Sequence, residues 1–182
     1  AFTIRKDWIN AISGTSATAD VTVTTKSGNT VIGTNTAKLT VKVPDTIVPA
    51  VNSVTVSEAI TSTKSAFGVF VTDISKLNVS VSASGVYGST IQSVKTVFDN
   101  TTYDGTSFQT SSISRSGTLN MVTTVADSRG RSASYTKEVT VYPYSAPKII
   151  NASSVSDGEN TVVTVAGVVS PVMVGSTAKN TK

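Results

Sequence analysis

The chain has 182 residues, of which 38% are hydrophobic and only 14% charged, with a net charge of +4 and neither cysteine nor histidine. That size allows one large domain or two small ones. Without cysteine there is no disulfide framework or thiolate nucleophile, and without histidine the commonest general base is gone. Fifteen basic residues are scattered and never run beyond Arg5-Lys6, so a clustered nucleic-acid footprint is not expected. No apolar run reaches the length of a membrane span.

The start, Ala1-Phe2-Thr3-Ile4-Arg5-Lys6, carries no signal-peptide core and reads as the edge of a piece of a longer polypeptide. Helical patterning is nearly absent. Its best candidate, Asp7–Ile12, is too short to insist on. Strands are predicted at 21–25 and 30–33, separated by the turn Ser27-Gly28-Asn29. Residues 37–43 alternate cleanly, with Leu39, Val41 and Val43 on one face and Lys38, Thr40 and Lys42 on the other. Further strands are expected at 53–57, 67–71 and 76–83, the last with Leu77, Val79 and Val81 inward. The series continues at 92–98, 119–126, 133–141 and 161–166. Asp99-Asn100, Asp104-Gly105, Arg129-Gly130 and Asp157-Gly158 supply turn chemistry between them. Many short strands so punctuated predict an all-β fold, not a βαβ one.

An internal repeat organises these strands. Lys38-Leu39-Thr40-Val41-Lys42-Val43-Pro44 leads into Val48-Pro49-Ala50-Val51. Lys137-Glu138-Val139-Thr140-Val141-Tyr142-Pro143 leads in the same way into Ala146-Pro147-Lys148-Ile149. The two joins lie about one hundred positions apart, the length of one immunoglobulin-like domain. The chain therefore divides into trailing strands of a first unit (1–44), a complete unit (49–143) and the opening of a third (147–182) with a mobile tail from Gly175. Proline suits the joins because it cannot extend a ladder and it stiffens a link. The fold expected is all-β, as tandem immunoglobulin-like antiparallel β-sandwich units.

Four segments, Ser75-Lys76-Leu77-Asn78-Val79, Ala83-Ser84-Gly85-Val86-Tyr87-Gly88-Ser89-Thr90-Ile91, Ala126-Asp127-Ser128-Arg129-Gly130-Arg131-Ser132-Ala133 and Val141-Tyr142-Pro143-Tyr144-Ser145-Ala146-Pro147, occur in that order. As a set they resemble a repeated module of tail-associated minor structural proteins from long-tailed bacteriophages of Gram-positive hosts. The resemblance spans about residues 40–155. It implies a virion tail location, other tail proteins as partners, a homo-oligomer, and no catalytic residue.

Chemistry is sparse. Asp73, Asp99, Asp104 and Asp127 stand singly, and the abundance of serine makes any Ser-Lys pairing uninformative. No catalytic, cofactor or metal residue is expected; Asp157-Gly158-Glu159-Asn160 lacks a calcium-loop pattern. Four residues are candidates for ligand or partner contact: Tyr87, Tyr103, Arg129 and Arg131. The two arginines could grip an acidic partner or a wall phosphate, but turn chemistry, with Asp127 bonding loop amides and Gly130 left-handed, explains most of that motif. The aromatics, including Trp8, Tyr142 and Tyr144, are expected mainly in core or hinge packing. The function expected is a non-catalytic structural or display module of a phage tail or tail fibre, with adhesion to host-wall glycan as a secondary role. A bacterial adhesin stalk and a carbohydrate-binding module of a larger enzyme are the alternatives.

Overall fold

The computed structural model describes residues 5–156 and 158–180. The expectations for Ala1–Ile4, for Asp157 of the 157–158 turn and for the last two residues of the tail lie outside them. Among the described residues the elements in chain order are a 3-10 helix (Lys6–Ala11), β1 (Ser16–Ser27), β2 (Thr30–Lys42), β3 (Ala50–Glu58), α1 (Thr61–Phe67), β4 (Phe70–Val71) and β5 (Leu77–Ser84). They continue with β6 (Ile91–Phe98), β7 (Thr101–Asp104), β8 (Ser107–Gln109), β9 (Gly117–Asp127), β10 (Ser132–Tyr142), β11 (Lys148–Ser156), β12 (Thr161–Val168), β13 (Met173–Val174) and β14 (Thr177–Ala178). The fold is all-β. A five-stranded sheet runs β4-β10-β9-β6-β7 and a three-stranded one β3-β5-β8, while β1-β2, β11-β12 and β13-β14 are separate pairs.

Two compact units divide the residues, and β3, β5, β6, β9 and β10 each contribute to both. One unit holds residues 1–53, 82–95 and 123–135; the other holds 54–81, 96–122 and 136–182. The second gathers most of the core. Leu77, Val79 and Val81 of β5 are buried at alternate positions, as are Thr96 and Phe98 of β6, Leu119 and Met121 of β9, and Val139 and Val141 of β10. Period-two burial of β-branched and large apolar side chains is what removes apolar area from water here. Each such side chain is worth about 1.5–3 kcal/mol when fully buried.

Three features depart from expectation. The stretch read as a strand at 67–71 begins as the end of a helix: α1 occupies Thr61–Phe67, the chain bends at Gly68 and Val69, and only Phe70 and Val71 are extended. Gly68 ends that helix at φ 66°, the left-handed conformation that glycine adopts without strain. Second, β4 pairs with β10 in parallel, through Val141–Phe70 and Tyr142–Val71, so the sheet is not wholly antiparallel. Third, 30–33 and 37–43 are one continuous strand, β2, since no residue between them breaks the ladder with β1.

The described part of the tail is tied back. Lys179 donates its amide to the Val172 carbonyl, and the Asn180 side-chain oxygen accepts the Val172 amide. Val172 is fully buried against Phe67 and Val71, with Tyr142 and Tyr144 packed on the same cluster. Tyr144 meets Phe67 edge-on at 5.8 Å. Apolar packing around the second proline join is thus the place of both tyrosines.

Candidate functional site

The turn between β9 and β10 is built by its own sequence. Asp127 donates its amide to the Arg131 carbonyl, and Gly130, at φ 75°, donates to the Asp127 carbonyl. The Asp127 carboxylate accepts the amides of Arg129 and Arg131, each at 2.9 Å. Burial alone would raise the pKa of this acid. The two amide bonds, a bond from Ser89 and the Arg129 charge outweigh that and hold it below the ordinary carboxylate value.

Arg129 projects from this turn into a ring of main-chain oxygens. It is 7% exposed. Its guanidinium donates to Ile12 O at 2.9 Å, Ile9 O at 3.2 Å and Val86 O at 2.8 Å, and to Tyr87 O. Ile9 and Ile12 lie at the end of the 3-10 helix, where the Ile9 carbonyl already accepts the Ile12 amide, and a planar fork of donors reaches both carbonyls at once. Arg131 does the same for the first proline join: it donates to Val43 O at 2.7 Å, Ile47 O at 2.9 Å and the Asp45 carboxylate at 3.1 Å. The Asp45 side chain is fully exposed, so the two carbonyls carry the bracing.

Tyr87 lies in the loop that Arg129 holds. Its φ is 50°, and the ring is half-buried. The glycines around it are dictated by crowding. A Cβ on Gly88 would fall 2.6 Å from Asn10 O, and one on Gly85 would collide with Ser89 O. The structure therefore brings Tyr87, Arg129 and Arg131 into one hydrogen-bonded knot within a single unit. Tyr103 belongs to the other unit. There it stacks on Phe108 at 4.7 Å, and its hydroxyl accepts the Ser111 amide at 3.0 Å.

Asp99 marks a second built turn, with Asp99 and Asn100 both left-handed between β6 and β7. Its carboxylate accepts Arg115 Nε at 2.7 Å and the Ser114 amide at 2.6 Å. Burial pushes its pKa up, but those bonds prevail and the net shift is downward. Both acids have depressed folded-state values. They therefore stabilise the fold above the unfolded carboxylate pKa of about 3.9, and that contribution is lost as pH falls through the folded values. Melting temperature measured from neutral pH down to about pH 2 should fall steeply below about pH 4. The fall should be shallower in Asp99→Asn; an identical slope would remove Asp99 from this account.

Besides a concavity of about 540 Å³ at Thr15, Lys42 and Asp45, two others lie among the described residues. One, of about 490 Å³, is lined by Glu58, Lys64, Glu138 and Tyr142 among others. One Glu58 oxygen accepts the amides of Ile60 and Lys76, which makes that acid a loop anchor. The other, of about 470 Å³, places Trp8 over Ala17, Ala19 and Val41 of the β1–β2 hairpin. Trp8, expected in core or hinge packing, is instead 49% exposed, because the small side chains of Ala17 and Ala19 beside it leave its ring uncovered. No group of three or more potential metal ligands occurs among the described residues, and no helix is long and apolar enough to cross a membrane.

A family model described as "Siphovirus protein of unknown function (DUF859)" matches residues 1–182. No curated protein and no solved structure matches the chain.

Proposed function

The chain belongs to this siphovirus family, and from that premise we propose that it is a non-catalytic structural module of the phage tail or tail fibre. It consists, on this reading, of immunoglobulin-like units in series, held at fixed spacing by braced proline joins.

The observation that carries the reading is the use made of Arg131. A guanidinium bonded to Val43 O and Ile47 O immobilises the link between β2 and β3. Inter-unit links are mobile by default, so a link held by a half-buried arginine favours a stiff spacer. Adhesion to wall glycan is the weaker part of the reading. Arg129 and Arg131 spend their donors on the chain itself, and Tyr103 spends its hydroxyl there too.

Two measurements test it. Gold-labelled antibody against the chain should decorate virion tails; label confined to capsids would overturn the assignment. The chain has no native cysteine, so spin labels at Thr24→Cys and Thr118→Cys report the join directly. One narrow distance distribution is expected, broadening about twofold in Arg131→Ala as the link regains ordinary freedom. Equal widths in both would show that the arginine stiffens nothing.

A further inference from the structure

One crevice in the second unit holds an acid with a bare oxygen. It has a volume of about 490 Å³ and is lined by Val56 and Glu58 of β3, by Val69 and Phe70 at the start of β4, and by Glu138 and Tyr142 of β10. All of these belong to one compact unit. Glu58 Oε1 accepts two amides, from Ile60 at 3.0 Å and from Lys76 at 3.2 Å. Glu58 Oε2 is sealed from solvent and has no hydrogen-bond partner among the described residues. Folded chains rarely leave a buried acceptor without a donor, because its lost hydration is then uncompensated.

The main chain beside this acid is open as well. β4 pairs with β10 through Val141–Phe70 and Tyr142–Val71 alone. Before Phe70 the chain turns away through Gly68 into α1. Among the described residues, β10 therefore has no strand on that side at Glu138 and Val139. The Tyr142 carbonyl accepts the Thr72 amide, so the peptide groups of Tyr142 point toward β4. Peptide groups alternate in direction along a strand, and those of Glu138 and the N–H of Thr140 point the same way. The edge and the crevice thus adjoin, midway along the chain and flanked by described strands on both sides.

We propose that this edge and crevice together bind an extended peptide segment that carries a lysine. Its main chain continues the sheet beside β10 where β4 stops, and its ammonium enters the crevice to reach Glu58. Charge selects the cation. The crevice sets the carboxylates of Glu58 and Glu138 against the single ammonium of Lys64, and neither Glu138 nor Lys64 has an ion pair among the described residues. Val56, Val69 and Phe70 give walls suited to a four-carbon stem. The bare oxygen is closed to water, so a slim unbranched donor suits it better than a guanidinium. Lys64, exposed on α1, is the lining side chain free to swing aside. Strand addition supplies main-chain bonds without sequence preference, and the crevice adds the preference for lysine.

Backbone amide shifts of the whole chain, titrated with the peptide acetyl-Thr-Val-Lys-Val-Thr-amide, test this. The Glu138 and Thr140 amides should move together, with a dissociation constant of about 1 mM or tighter. The same peptide with norleucine in place of lysine keeps the strand and the stem but loses the charge, and should bind about tenfold more weakly. Glu58→Gln keeps an oxygen for the Ile60 and Lys76 amides while removing the charge, so it should erase that difference. Should this variant fail to fold, the two peptides still decide the matter on the native chain. Equal affinity for both would overturn the lysine seat. Pentylamine binding as tightly as the lysine peptide would show that the edge contributes nothing, and strand addition would fall. Unmoved Glu138 and Thr140 amides at about 5 mM of every probe would overturn the whole proposal. None of these outcomes touches the tail assignment, which the gold label tests separately.

Discussion

Replacing Arg129 with alanine is expected to destabilise the fold by about 3–5 kcal/mol, the cost of removing one member of a buried charge network. The loss has two parts. Carbonyls of Ile9, Ile12, Val86 and Tyr87 forfeit charge-assisted bonds, and those that water cannot reach carry a desolvation penalty of about 1–3 kcal/mol each. Asp127, 3% exposed, also loses the nearby positive charge that helps keep it ionised. Arg129→Lys should recover less than half. A lysine presents its donors from one point, whereas these acceptors come from two separate segments of chain, 9–12 and 86–87. Urea unfolding followed by circular dichroism measures this. A loss below about 1 kcal/mol would mean that water replaces the guanidinium readily, and Arg129 would then return as a candidate for gripping an external anion.

What the sequence disclosed and what it withheld divide along a physical line. Local periodicity was readable: Leu77, Val79 and Val81 alternate in the chain and are buried in the structure. Turn chemistry was readable too, because Asp127 and Gly130 act on residues within four positions of themselves. The 61–67 helix was not, since Thr-Ser-Thr-Lys-Ser-Ala-Phe has no amphipathic stripe and barely two turns in which to show one. Nor could the targets of Arg129 and Arg131 be read. Main-chain carbonyls have no residue-specific signature, and the partners of Arg129 include Ile12, 117 positions away. A basic turn motif thus looks the same in sequence whether it faces a ligand or its own backbone. Trp8 is the converse case: an aromatic whose composition suggested burial, left half exposed beside the small residues of β1.

The second large effect expected is that of Phe98→Ala, about 3–5 kcal/mol, with a fall in melting temperature of roughly 10 °C. Phe98 is 1% exposed at the end of β6, inward with Thr96 and Val94 at alternate positions, so truncation leaves a cavity that strands cannot close by sliding. Val23→Ala, on the open face of β1, should cost within about 0.5 kcal/mol by the same measurement in dilute solution. That contrast locates stability in the inward faces of the unit that holds Phe98, not in the open face of the β1–β2 hairpin. Equal effects of the two substitutions would mean that the open face of β1 is packed as tightly as the inward face of β6, contrary to the 66% exposure of Val23.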